Sequence, residues 1–106
     1  MRPESMLVGE LFPELTHQLL RDLRRLKRTD LSEQIVSLRV IDRCRCGSDT
    51  CGTFYTQDAE FRKRSARSRA DLMLPCGANL FESGGTVVEI ETLDPRVQAV
   101  LRRVIP

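Results

Sequence analysis

The chain has no tryptophan, one tyrosine and one histidine, and aromatic residues make up only 5% of its 106 positions. The scarcity of histidine bears most directly on chemistry. Sites built from several imidazoles are excluded, and a cysteine nucleophile loses its usual base unless His17 supplies it. On a helical wheel His17 lies about 160° from the apolar stripe of its segment, so it is expected to face solvent, away from any inward-facing thiol. G-x-S-x-G, P-loop, H-E-x-x-H and G-x-G-x-x-G motifs are all missing, as is the C-x2-C pair of zinc knuckles and thiol oxidoreductases. These absences weigh against an enzyme. Near the start, the apolar run Met6, Leu7, Val8 is too short for a signal-peptide core or a membrane span. The expectation is an intracellular, cytoplasmic protein with no membrane partner. In that compartment Cys44, Cys46, Cys51 and Cys76 read as free thiols or metal ligands rather than as two disulfides.

With 41% hydrophobic and 30% charged residues, the composition is that of a folded protein, and residues 1–106 are expected to form a single domain. Net charge is +2 but unevenly spread: residues 1–20 carry −2, residues 21–69 carry +6 and residues 70–106 carry −2. The apolar residues Phe12, Leu15, Leu19, Leu23 and Leu26 recur at helical spacing, with Pro13 suited to a first turn and Arg21, Arg24, Arg25 and Arg28 opposite the stripe. Thr29-Asp30 is a stop and a candidate cap for a helical turn over 31–36, before 37–46 takes on strand character. GSDT at 47–50 predicts a hairpin turn into a second strand over 51–57. Strands are further expected over 71–74, 79–83 and 86–93, the last two joined by Gly84-Gly85. In the last of them Val88, Ile90 and Thr92 should face inward while Val87, Glu89 and Glu91 stay wet. Asp94-Pro95 opens a final helix on which Val97, Val100, Leu101 and Val104 form the apolar side. The predicted fold is a two-layer α+β domain, an antiparallel sheet of about four or five strands packed against an N-terminal and a C-terminal helix.

A hairpin turn centred between Ser48 and Asp49 sets Cys46 opposite Cys51. Cys44, two residues before Cys46, shares its face. Cys76, in a loop further on, is a candidate fourth thiolate, and four suffice for structural zinc. Zinc is the one cofactor any residue pattern suggests, and a reversible disulfide is the competing chemistry. The same strand face carries Leu38 and Val40, which favours a third reading in which the thiols are small buried hydrophobes. Asp42 on that face would then need a partner, for which an arginine suffices.

Residues 57–70 read as a long, polar, flexible connection. Within it Arg62, Lys63, Arg64, Arg67 and Arg69 fall in eight positions, a density able to neutralise several phosphates. Only Tyr55 and Phe61 lie near for stacking, and no nucleic-acid fold signature accompanies them.

The stretch DRCRCGSDTCGTFYT, preceded by LSEQIVSLRV and followed by VVEIETLDPRVQAVLRRVIP, resembles a family of short, uncharacterised bacterial proteins sharing a D-R-C-x-C-G-x-D-x-C-x-T-F-Y-T-like core. That resemblance implies a bacterial origin and no particular activity, and Cys76 falls outside its pattern. Three functional readings follow. The first is a non-enzymatic domain that binds a protein partner or assembles with itself; the second is a zinc or thiol-redox module on the cysteine hairpin; the third is nucleic-acid binding through the basic connection.

Overall fold

The structure, a computed structural model, describes residues 6–106; residues 1–5, which include Arg2 and Glu4 of the N-terminal charge tally, lie outside the described residues. A short helix α1 (Val8–Leu11) leads into α2 (Pro13–Arg25), with Pro13 in its first turn as expected. Phe12, Leu15, Leu19 and Leu23 of the predicted stripe are buried, but Leu26 is exposed. The helix ends before Leu26 in a Schellman motif, with Lys27 left-handed at φ 59° and the Arg28 N–H reaching the Leu23 carbonyl at 2.9 Å. Helix α3 (Thr29–Ile35) follows with Arg28 at its N-cap, so Thr29 and Asp30 lie inside its first turn rather than capping it.

Strands β1 (Asp42–Arg43), β2 (Phe54–Tyr55), β3 (Arg69–Met73), β4 (Asn79–Ser83) and β5 (Thr86–Glu91) form one antiparallel sheet in the order β1-β2-β5-β4-β3. Helix α4 (Ala59–Ser65) lies between β2 and β3, and α5 (Pro95–Val104) follows β5. The α+β architecture with an antiparallel sheet is therefore the one the sequence predicted.

One sheet face carries Phe54, Ile90, Leu80 and Leu72, which meet α2, α3 and α5 in a single core. Phe12 stacks on Phe54 with ring centroids 5.3 Å apart, pinning the start of α2 over β2. Strand β5 departs from strict alternation. Val87 was expected to be wet, yet both Val87 and Val88 are buried, because a bulge lets β5 pass one extra residue between the pairs Phe81↔Glu89 and Glu82↔Val87. Gly84 and Gly85, at φ 57° and 87°, make the tight turn that joins β4 to β5.

Residues 57–70 are not a plain connection. Asp58 caps α4 by accepting the Phe61 N–H at 2.8 Å, a single 3-10 turn (Ala66–Ser68) follows, and Arg69 already belongs to β3. No apolar stripe announced this helix. Its signal was the cap alone.

Candidate metal centre

The β1–β2 pairing has the register that the turn residues implied, Asp42↔Tyr55 and Arg43↔Phe54, but only two residues of each strand are laddered. Two further bonds flank it, Ile41 N–H to the Tyr55 carbonyl at 2.8 Å and Cys44 N–H to the Thr53 carbonyl at 3.0 Å, before the arms separate. Upstream, Val40 and Leu38 bond to the Met6–Val8 segment instead, through Val40 N–H to Met6 O at 2.7 Å and Val8 N–H to Leu38 O at 2.9 Å. The core face thus ends with Leu38 and Val40, both buried, and the cysteines lie beyond it. Cys44 and Cys51 are half-buried and Cys46 is exposed, which corrects the reading of these thiols as core residues.

Three attachments to the C-terminal segment hold the loop. Arg43 Nε donates to the Ile105 carbonyl at 2.6 Å, and the Gln98 side-chain amide donates to the Ser48 carbonyl. On the returning arm, the Gly52 N–H donates to Thr92 O at 2.9 Å and the Thr92 hydroxyl returns a bond to Gly52 O at 3.0 Å. Gly52 is required there by space: a Cβ would lie 2.2 Å from Thr92 Oγ1 and 3.1 Å from the Asp94 carbonyl oxygen.

So held, the sulfurs of Cys44, Cys46 and Cys51 all lie within 4.8 Å of one another. Two of them have a backbone amide two residues downstream that favours their ionised form, Cys46 N–H for Cys44 and Thr53 N–H for Cys51. Burial opposes ionisation of Cys51, but the Thr53 hydroxyl and N–H, together with the Cys46 and Cys44 thiols, outweigh it and bring its pKa below the ordinary thiol value. Burial pushes Cys44 up, reinforced by its neighbouring thiols, so Cys51 ionises before Cys44. Burial likewise raises Tyr55, and the neighbouring Cys44 and Glu89 add to the shift. Asp42 is half-buried rather than inside the core, and it has the expected arginine partner: Arg45 Nη1 donates to it at 2.6 Å.

A zinc ion about 2.3 Å from each sulfur at tetrahedral angles sets S–S edges of about 3.8 Å, so the three sulfurs need to close by about 1 Å or less. That is within the reach of χ1 adjustments, and the donor set fits the metal. Cys76 does not join it. Its N–H donates at 2.8 Å to Asp22, a fully buried carboxylate on α2, and it lines a separate cleft of about 690 Å³ between the start of α2 and α5. The four-cysteine set of the sequence is thus a set of three. Burial raises the Cys76 thiol, and Asp22 adds to the shift. Asp22 itself is held below the usual carboxylate range: burial acts against it, but the Cys76 N–H and thiol and Arg21 prevail.

The basic residues are divided among several tasks. Arg62 stacks on Tyr55 at 3.9 Å, Arg64 lies 5.8 Å from the Phe61 ring centre, and Arg69 covers Phe81 at 4.6 Å while pairing with Glu89 at 2.6 Å. Lys63 and Arg67 are exposed. His17 is exposed, as expected. Among the described residues no helix is long and apolar enough to cross a membrane.

Sequence reasoning missed Asp22, Thr53, Gln98 and Arg102. Asp22 was findable: it lies three residues after Leu19 and seven after Leu15, inside the apolar stripe. The other three act through tertiary contacts that no local pattern carries. Comparison with protein-family models, with curated proteins and with solved structures gives no match.

Proposed function

We propose that the loop carrying Cys44, Cys46 and Cys51 is a thiolate metal site that takes zinc, and that the domain acts as a metal-binding module. The observation that carries this reading is the convergence of three sulfurs within 4.8 Å outside the core, on two half-buried cysteines and one exposed. A soft, three-sulfur donor set selects zinc over magnesium or calcium, whose preferred ligands are oxygens. Bringing three thiolates together without a cation is electrostatically unfavourable; a divalent ion offsets that repulsion and releases their protons. The Cys46 and Thr53 backbone amides favour the ionised forms of Cys44 and Cys51, the effect that outer-shell donors have at metal sites. A disulfide would use two of the sulfurs and leave the third without a role, whereas a metal uses all three.

The test is metal analysis of protein purified without chelator, paired with a native thiol titration. One zinc per chain is expected, with three thiols becoming reactive only when the metal is stripped. Absence of stoichiometric zinc, with thiol reactivity unchanged by added zinc, overturns the reading.

A further inference from the structure

The cleft into which the three sulfurs open, about 340 Å³ in volume, is also lined by Arg43, Arg45 and Arg102. Arg43 is fixed in place, its Nε on Ile105 O at 2.6 Å and its Nη1 on Cys44 O at 3.3 Å. Arg45 is matched by Asp42. Arg102 is exposed and makes no ion pair or side-chain hydrogen bond among the described residues. A basic residue in the last turn of α5 suits the helix dipole, and Arg103 serves that purpose equally. The dipole does not explain why Arg102 shares a cleft with the cysteines.

Charge and coordination combine here. Zinc held by three thiolates carries one negative charge and keeps a fourth position for an outside donor. Three guanidinium groups line it and one of them, Arg45, is paired with Asp42, so the lining of the loaded cleft retains one unbalanced positive charge. A soft donor is favoured at the metal, since the other three ligands are sulfurs. A planar carboxylate is favoured at the rim, since a guanidinium binds it through two parallel hydrogen bonds. The volume lies at the small end of ligand pockets.

Resting on the zinc reading above, we propose that the cleft binds a small thiol that bears a carboxylate, its sulfur completing the zinc coordination and its carboxylate held by Arg102. On binding, the thiol loses its proton to solvent, its thiolate forms the bond to zinc, and the water that held the fourth position leaves. No electrons are transferred. A free carboxylate or a phosphate could use the arginines but would leave the metal's preference for sulfur unmet.

Cobalt(II)-substituted protein gives the readout, because its visible absorption reports the ligands around the metal. Titration with mercaptoacetate is expected to intensify and shift those bands and to saturate at one equivalent, whereas acetate leaves them unchanged. Mercaptoacetate should bind roughly fivefold more tightly than the uncharged 2-mercaptoethanol, the scale of one partly exposed ion pair. In Arg102→Gln that preference disappears while cobalt affinity stays the same. Equal affinity for the two thiols, acetate binding as tight as mercaptoacetate, or a preference that survives Arg102→Gln overturns the proposal. Cobalt binding with no response to any thiol overturns the ligand but leaves the metal site standing; failure to bind cobalt or zinc at all removes both.

Discussion

Replacing Gly52 with alanine adds one methyl group where three neighbours already occupy its space. The new Cβ would lie 2.2 Å from Thr92 Oγ1, 3.0 Å from Val97 Cβ and 3.1 Å from the Asp94 carbonyl oxygen. Thr92 is the neighbour able to move, by rotating its side chain, but that breaks its 3.0 Å bond to Gly52 O and leaves buried polar atoms unpaired. The other two contacts are a Cβ fixed to α5 and a backbone oxygen, and neither yields without shifting the helix start. Overpacking of this kind costs about 1–3 kcal/mol, and the broken buried hydrogen bond adds about 1 kcal/mol, for a total of about 2–4 kcal/mol. In a domain of this size that corresponds to a fall in Tm of roughly 10–20 °C. Urea and thermal denaturation of the variant measure it. Because the same clamp holds the arm that carries Cys51, zinc affinity should fall as well. Gly47→Ala is the control: its φ of +83° makes alanine strained, but nothing lies within 4 Å of the added Cβ. That variant should lose about 1 kcal/mol, the ordinary penalty of a left-handed non-glycine residue. A loss below about 0.5 kcal/mol for Gly52→Ala would refute the close-packing argument, since that is the range of inert surface changes.

Lys27→Gly should stabilise the protein by about 0.5–1 kcal/mol, because Lys27 sits at φ 59° in the Schellman turn that ends α2; denaturant midpoints would show it. Cys51→Ser should abolish one-to-one zinc binding in a calorimetric titration, whereas Cys76→Ser leaves the stoichiometry unchanged because that thiol lies outside the cluster. Asp22 has a lowered folded-state pKa, so its contribution is fully present above the unfolded value near 3.9 and is lost as pH falls through the folded one. Asp22→Asn should therefore flatten the stability profile below about pH 4 while leaving its shape at neutral pH unaltered, as acid titration of both proteins would reveal.

How much of this was legible in the sequence depended on whether a signal was local. The stripe of α2, the Gly84-Gly85 hairpin and the Asp94-Pro95 opening of α5 each carry their own periodicity or turn chemistry, and each lies where the sequence placed it. The GSDT turn even set the β1–β2 register correctly. What could not be read was where the ladder stops. Leu38 and Val40 look like the start of a strand that runs on to Cys46, yet the N-terminal segment takes their hydrogen bonds and Thr92 draws Gly52 toward α5. Those competing contacts are long-range. They turn the end of an apparent core strand into a loop, and with it three supposed core thiols into a cluster outside the core, two half-buried and one exposed. Val87 was misplaced for a related reason: a bulge shifts the alternation by one residue without leaving a mark in the pattern. Helix α4 was missed because it is too short and too polar to show a stripe, although Asp58 announces its first turn.

What surrounds the metal is measured directly by X-ray absorption at the zinc edge of the intact protein. In thiol-free buffer three sulfurs at about 2.3 Å and one lighter atom, oxygen or nitrogen, are expected, with the Cys76→Ser spectrum unchanged. Four sulfurs per zinc, or a first shell that loses sulfur when Cys76 is replaced, would contradict the three-cysteine site.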